Sequence, residues 1–427
     1  VIPLSLLVLA AVAHAQEPAA LTLDQAVALA LEHNPGITAA QAGLDEAVAD
    51  HTVTRARVLP RFSATASASL LDPDRLAPIS LSSPSGEPVS MFGREEYAGL
   101  VGRQLLFDGS VLPALASARR GVDVADLGVA SAEAEIRYST TVAYVRLLVA
   151  EANEEVATDA VGRQIAFEGL VTRLQAADKG TRLDLLKAQA QRMEAELLLV
   201  AAKEARGVAE AQLRRALGVG ADFPVAARRG EFRVVEPPPT EESLYADVVS
   251  TNPALAQQAA RWEQSDASVR AAWGEHLPDL SLAASYGYRD RDVGGGADEY
   301  TVGVYLDWPL FSGLAIDGLV ARSNAKRTAA EAGRVAIEDQ LRVDVRGALA
   351  GWHTALATVE AAEGIVEVDQ EAVEASTAMF EADRATSLDV LTAQSELTRS
   401  EAALIRALGD YAIARASVER LLGRPLT

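Results

Sequence analysis

Two aspartates stand three residues after a threonine in closely similar surroundings, Thr181-Arg182-Leu183-Asp184 and Thr386-Ser387-Leu388-Asp389, 205 residues apart. A threonine whose hydroxyl accepts an early backbone N–H, followed at that spacing by an acid, has the form of a capping box that starts a helix. Neither pair sits in a catalytic pattern. The five histidines (His14, His33, His51, His276, His353) are scattered without metal-ligand spacing. There is no Gly-x-x-x-x-Gly-Lys loop and no Gly-x-Ser-x-Gly elbow. Gly294-Gly295-Gly296 lacks a following Lys-Ser or Lys-Thr and reads as a hairpin tip. No catalytic, cofactor-binding or metal-ligating residue is expected, and no cofactor.

The surroundings of the two acids are themselves a repeat. SLDVLTAQS (Ser387 to Ser395) doubles RLDLLKAQA (Arg182 to Ala190), and Leu422-Gly423 doubles Leu217-Gly218. Asn34-Pro35 returns as Asn252-Pro253, Leu59-Pro60 as Leu277-Pro278, and LFDG at Leu106 as LFSG at Leu310. The spacing predicts two homologous halves, 16–223 and 241–427, joined by a Pro-rich extended connector over 224–240. The halves differ chiefly in one loop, longer in the first copy, between Pro60 and Leu106.

Prolines bound the long elements. None occurs between Pro113 and Pro224 or between Pro309 and Pro425, and both stretches are rich in strong helix formers. Apolar and small residues recur there at steps of three and four: Val122, Ala125, Val129, Ala132 and Ile136, then Leu349, Trp352, Leu356 and Val359. That is a coiled-coil seam, and its many alanines suit close helix approach. Each stretch is broken once, at AADKG (Ala176 to Gly180) and EADRA (Glu381 to Ala385), which predicts two helical hairpins. The run from Leu115 to Ala177 corresponds to roughly 90–100 Å of helix.

Between the helical stretches the period changes to two. Phe62 to Leu70, Tyr97 to Phe107, Leu280 to Tyr288 and Tyr300 to Leu310 read as four strands of about ten residues with one apolar face, the pattern of a transmembrane barrel strand. Tyr97, Phe107, Tyr286, Tyr288, Tyr300 and Trp308 cluster near strand ends, as an interfacial aromatic belt does. Four strands do not close a barrel, and open edges are not tolerated in hydrocarbon, so a membrane reading requires oligomerisation.

Composition narrows the setting. The opening VIPLSLLVLAAVAHAQ, with Ala13-His14-Ala15, reads as a signal peptide over 1–15. No cysteine is present, which removes disulfides and thiolate metal sites. A net charge of −21, from 60 acidic against 39 basic residues, argues against nucleic acid as a partner. No apolar run of roughly 18 residues follows the opening segment, so strands are left as the only membrane-crossing elements.

The opening LTLDQAVALALEHNPGITAAQAGLDEAVADHTVTRARVLPRFSATAS, the LFDG and LFSG turns and the paired LDLLKAQ and LDVLTAQ resemble the outer-membrane efflux protein family typified by TolC. The resemblance covers nearly the whole chain. It implies an α+β membrane protein with long antiparallel helical hairpins and four transmembrane strands per chain. In the homotrimer these make a 12-stranded barrel in the outer membrane, continued by a periplasmic α-barrel. The implied function is the exit duct of a tripartite efflux or type I secretion system. Its partners are outer-membrane lipid, a periplasmic adaptor and an inner-membrane pump or ABC transporter.

The same resemblance assigns residues at the hairpin ends. Asp389 falls where the family places an aspartate ring in the closed periplasmic entrance, which favours cations and admits block by multivalent ones. A plain capping role is compatible with this. A second family acid, three residues on, is Thr392 here. Asp184 matches an acid that bonds a tyrosine hydroxyl on the neighbouring hairpin, but the matching position is Phe380, which puts that lock in question. Thr181, Thr386 and Arg384 complete the tip and gating set. Lys179, Gly180, Arg182, Leu183 and Leu388 are candidate adaptor contacts, with ordinary solvated surface as the alternative. Arg103-Gln104-Leu105 departs from the family pattern, which has a proline before the Leu-Phe pair; the second copy keeps it as Pro309. A soluble periplasmic coiled-coil scaffold is the competing reading, and it leaves the alternating strands without a reason.

Overall fold

Each proline-free stretch holds two helices separated by one short break. A computed structural model of the chain describes residues 21–70, 94–228, 237–291 and 296–426. The expected signal peptide, nearly all of the long first-copy loop, Gly294 and Gly295, and residues 229–236 of the connector lie outside these. Among the described residues the order is α1 (Leu23–His33), α2 (Pro35–Arg55), β1 (Arg61–Leu70), β2 (Arg94–Phe107), α3 (Val111–Ala176), α4 (Arg182–Leu217), α5 (Glu241–Thr251), α6 (Pro253–Gly274), β3 (Asp279–Arg291), β4 (Ala297–Asp307), α7 (Ala315–Glu381) and α8 (Ser387–Leu422). No described helix is long and apolar enough to cross a membrane. The chain forms two compact units, and each draws on both sequence repeats.

One unit comprises the chain up to Ala40 with Val129–Pro253 and Asp339–Thr427. Its core joins Ala26 and Ala30 of α1, Tyr144 and Leu147 of α3, and Leu213 and Leu217 of α4, all buried. On α7 the buried seam runs Leu341, Val345, Leu349, Trp352, Ala355, Val359 and Ala362, so Ala355 lies in the seam where the spacing had placed Leu356. Close approach is real at α8, where a Cβ on Gly409 would lie 2.5 Å from the Val149 side chain of α3. Ion pairs tie α4 to α3, Arg192 to Glu168 at 2.8 Å and Arg206 to Glu154 at 2.9 Å. At the start of the connector Val225 and Ala227 are buried in the core, and Ala227 bridges in parallel to Leu21.

The repeated Asn-Pro and Leu-Gly pairs find a common use in this unit. Proline occupies the first position of α2 and of α6, where its missing N–H costs nothing. The Asn34 side chain donates to the Ala216 carbonyl in the last turn of α4 at 2.8 Å, while its oxygen accepts the Gly36 N–H at 2.8 Å. Asn252 donates to the Leu421 carbonyl of α8, also at 2.8 Å. Each satisfies a carbonyl that its helix end leaves without a partner. Gly218 and Gly423 end the helices at φ 73° and 68°, and a Cβ on Gly218 would lie 2.5 Å from the His33 carbonyl oxygen.

The other unit, Gln41–Gly128 with Ala254–Glu338, holds the sheet. Its four antiparallel strands lie in sequence order, β1-β2-β3-β4, so β1 and β4 are both edges. The fourth strand ends at Asp307, three residues short of the expected Leu310, because Pro309 has no N–H for a ladder and restricts Trp308 before it. The second strand is 14 residues long and carries a bulge between Leu105 and Phe107, which explains its weaker alternation.

Candidate functional site

The hairpin ends are built twice on one plan. Helix α3 closes with Asp178 at φ 58° and the Lys179 N–H on the Leu174 carbonyl at 2.9 Å; α7 closes with Asp383 at φ 60° and the Arg384 N–H on Met379 at 2.8 Å. Aspartate stands where glycine is commoner. The next helix then starts with the expected capping box. The Asp184 N–H donates to the Thr181 hydroxyl at 3.2 Å and the Thr181 N–H returns to the Asp184 carboxylate at 3.2 Å. In the second copy the Asp389 N–H reaches Thr386 at 3.3 Å and the Thr386 N–H reaches Asp389 at 2.7 Å.

Beyond the caps the two copies diverge. The Ser387 hydroxyl, buried at the start of α8, donates to the second oxygen of Asp184 and so ties one hairpin to the other. This bond, then the Thr181 hydroxyl, holds the Asp184 carboxyl below its ordinary value. The aromatic ring of Phe380 is turned elsewhere: it packs on Phe167, ring centres 5.5 Å apart, beside the buried cluster of Val171, Ala188, Val390 and Leu391. Asp389 is exposed, and the Thr386 N–H followed by the Thr386 hydroxyl keeps it ionised. Thr392, Lys179, Arg182, Leu183, Arg384 and Leu388 are exposed, whereas Gly180 is half-buried. Ser387 and Phe167 were missed by sequence reasoning. The available signal was the difference between copies, since Ser387 stands where the first has Arg182.

The register sorts the sheet into two unlike faces, because directly paired residues share a face. On one lie Phe62, Ala64, Ala66, Leu100, Leu282, Ala284, Val302, Val304 and Leu306, with Tyr286 paired to Tyr300. On the other lie Ser63, Thr65, Ser67, Ser281, Ser285, Thr301, Gly303 and Tyr305. The apolar face is open: Tyr300 is 78% and Val302 67% exposed. Phe62 covers Gly102 on this face, 3.1 Å from where a Cβ would stand.

Tyr286, Tyr288 and Tyr300 lie toward the hairpin end of the apolar face, with Phe107 at the helix end and Trp308 just beyond β4 donating its indole N–H to the His276 carbonyl at 3.2 Å. Tyr97 departs from the expected belt. Its register partner is Arg289, on the polar face, where its ring lies over Gly99 and Gly287 and 4.8 Å from the Arg289 guanidinium. Arg289 in turn is held by Glu95 and by Glu299 at 2.6 Å.

A sheet with one apolar face, attached to capped helical hairpins, is also what known proteins contain. Residues 26–219 and 244–424 match the family described as Outer membrane efflux protein. The chain belongs to that family. As an outer-membrane efflux protein it is a transporter, its channel lying in the outer membrane with a periplasmic helical extension, and not an enzyme. It is 26% identical to outer membrane efflux protein BepC of Brucella suis over 58% of its own length, spanning 54% of BepC. It is 23% identical to cobalt-zinc-cadmium resistance protein CzcC of Cupriavidus metallidurans over 95% of its length and 90% of CzcC. In fold it is similar to the outer membrane protein VceC of Vibrio cholerae, with a TM-score of 0.79 at 20% identity over 95% of this chain and 97% of VceC.

Proposed function

We propose that three copies of this efflux protein assemble into one duct, each giving four strands to a twelve-stranded barrel and two hairpins to a periplasmic tube. The observation that carries this is the open sheet with one apolar face and two unpaired edges. In hydrocarbon every strand edge must find a partner, and joining the β4 edge of one copy to the β1 edge of the next removes all edges at once. Strands of 10 to 14 residues suffice to cross a bilayer when tilted. The apolar face then meets lipid and the Ser- and Thr-rich face lines the water. A soluble scaffold would leave the same apolar face in water.

The periplasmic mouth of this duct is formed by the hairpin ends. Asp389, one per copy, sets the charge of the constriction, with Thr392 next to it; the Ser387 to Asp184 bond holds the two hairpins of each copy together in the closed state. Lys179, Gly180, Arg182, Leu183, Arg384 and Leu388 form the tip surface for a periplasmic adaptor, and the adaptor brings the inner-membrane pump that supplies energy. The exposure of five of these six supports that role.

The chain has no cysteine, so single cysteines report the barrel directly. Thr301→Cys and Ser285→Cys should react with a charged thiol reagent in intact outer membranes, and Val302→Cys and Ala284→Cys should not. Equal reactivity on both faces, or a monomeric mass for the species extracted in mild detergent, rejects the trimeric barrel.

A further inference from the structure

On the polar face of the sheet two arginines stand directly opposite each other. Arg61 of β1 pairs in register with Arg103 of β2. Like charges across a strand pair repel, so this arrangement costs stability. Both side chains are exposed, and no ion pair among the described residues holds either. The remaining residues of the row are Ala283 and Gly303, and the Tyr305 ring lies over Gly303, 3.2 Å from where a Cβ would stand.

The acids of this face are committed or distant. Asp108 is taken by Arg57 at 3.2 Å, and Glu95 and Glu299 hold Arg289 near the far ends of their strands. Asp279 and Asp307 pair with each other four residues along β4 from Gly303, ~13 Å at strand spacing, beyond the screening length of about 8 Å at physiological salt. In a chain of net charge −21 these two arginines stand side by side with no ion-pair partner among the described residues.

We infer that Arg61 and Arg103 form a basic girdle on the lumen side of the barrel that binds multivalent anions and the anionic groups of passing solutes. This rests on the channel reading above, which turns the polar face inward and repeats the pair in every copy. Planar guanidinium groups match carboxylate and phosphate oxygens two at a time, so the girdle prefers such groups to simple halide.

The test uses the full-length protein in planar bilayers with pyrophosphate as the probe. Pyrophosphate blocks the wild-type pore, and its half-blocking concentration rises at least tenfold in the Arg61→Gln, Arg103→Gln double variant. Under a KCl gradient the reversal potential of that variant moves toward greater cation preference. Arg103→Cys provides a second route in pores already assembled. Its weakened block returns on attachment of a trimethylammonium thiol reagent and does not return with a neutral reagent of similar size. Conducting pores whose pyrophosphate block is the same in wild type and double variant overturn the girdle alone, as does an Arg103→Cys pore whose block ignores the sign of the label. A wild-type protein that inserts and does not conduct overturns the channel reading, and the girdle with it.

Discussion

Ser387, the first residue of α8, donates its hydroxyl to Asp184, the third residue of α4, and this one bond joins the ends of the two hairpins of a single chain. Phe380 packs on Phe167 beside the apolar cluster instead of facing the acid.

Removing the hydroxyl separates these roles. A hydrogen bond to a charged group contributes about 1.5–3 kcal/mol. Ser387→Ala should therefore raise the open-to-closed ratio of the periplasmic mouth by about 10- to 100-fold, seen as longer openings in single-channel recordings. Phe380→Tyr should leave it near wild type, since the acid is already occupied. An unchanged open probability in Ser387→Ala removes the latch.

The latch also has a defined pH window. Asp184 is held below its ordinary value of 3.8, chiefly by Ser387, so the folded tip favours the ionised form. The stabilisation is fully present above that ordinary value and is lost as the pH falls through the depressed one. Closure should be flat from pH 8 to about 5 and fail only in more acid solution, below the usual aspartate range. Opening centred near pH 6 would point to a histidine instead.

Asp389 carries charge and cap together, and two substitutions divide them. Asp389→Asn keeps an acceptor for the Thr386 N–H while removing the charge, so it should weaken block by multivalent cations with little loss of stability. Asp389→Ala should weaken block and also cost about 1 kcal/mol through the lost cap. Unchanged block by hexamminecobalt(III) in single-channel recordings of Asp389→Asn rules out an acidic ring at that position.

The Asn34 and Asn252 clasps should behave as a matched pair. Asn34→Ala and Asn252→Ala each free a helix-end carbonyl and are expected to cost about 1–2 kcal/mol. The Asn34 side chain also accepts the Gly36 N–H, so its removal uncaps the start of α2 as well. Thermal unfolding of the two variants in detergent measures the difference.

The elements themselves were legible. Proline positions bounded the long helices, and the Thr-x-x-Asp pairs marked where α4 and α8 begin, because a capping box is a local interaction among four residues. Alternation found all four strands because side chains on a strand repeat every second residue. It left strand ends to be set by neighbours, since β2 begins at Arg94, β3 runs on to Arg291 and β4 spans Ala297–Asp307, and it did not give the face on which Tyr97 lies.

What the sequence determined by itself is what depends on residues close along the chain: caps, periods, breaks and the duplication that sets two hairpins and two pairs of strands. Only the tertiary structure decided which distant residues meet. Ser387 reaches Asp184 across 203 residues, Asn34 reaches Ala216 across 182, and Arg61 faces Arg103. These contacts follow from helix packing and strand register, which sum many weak apolar contacts over whole elements, and no local spacing encodes that sum.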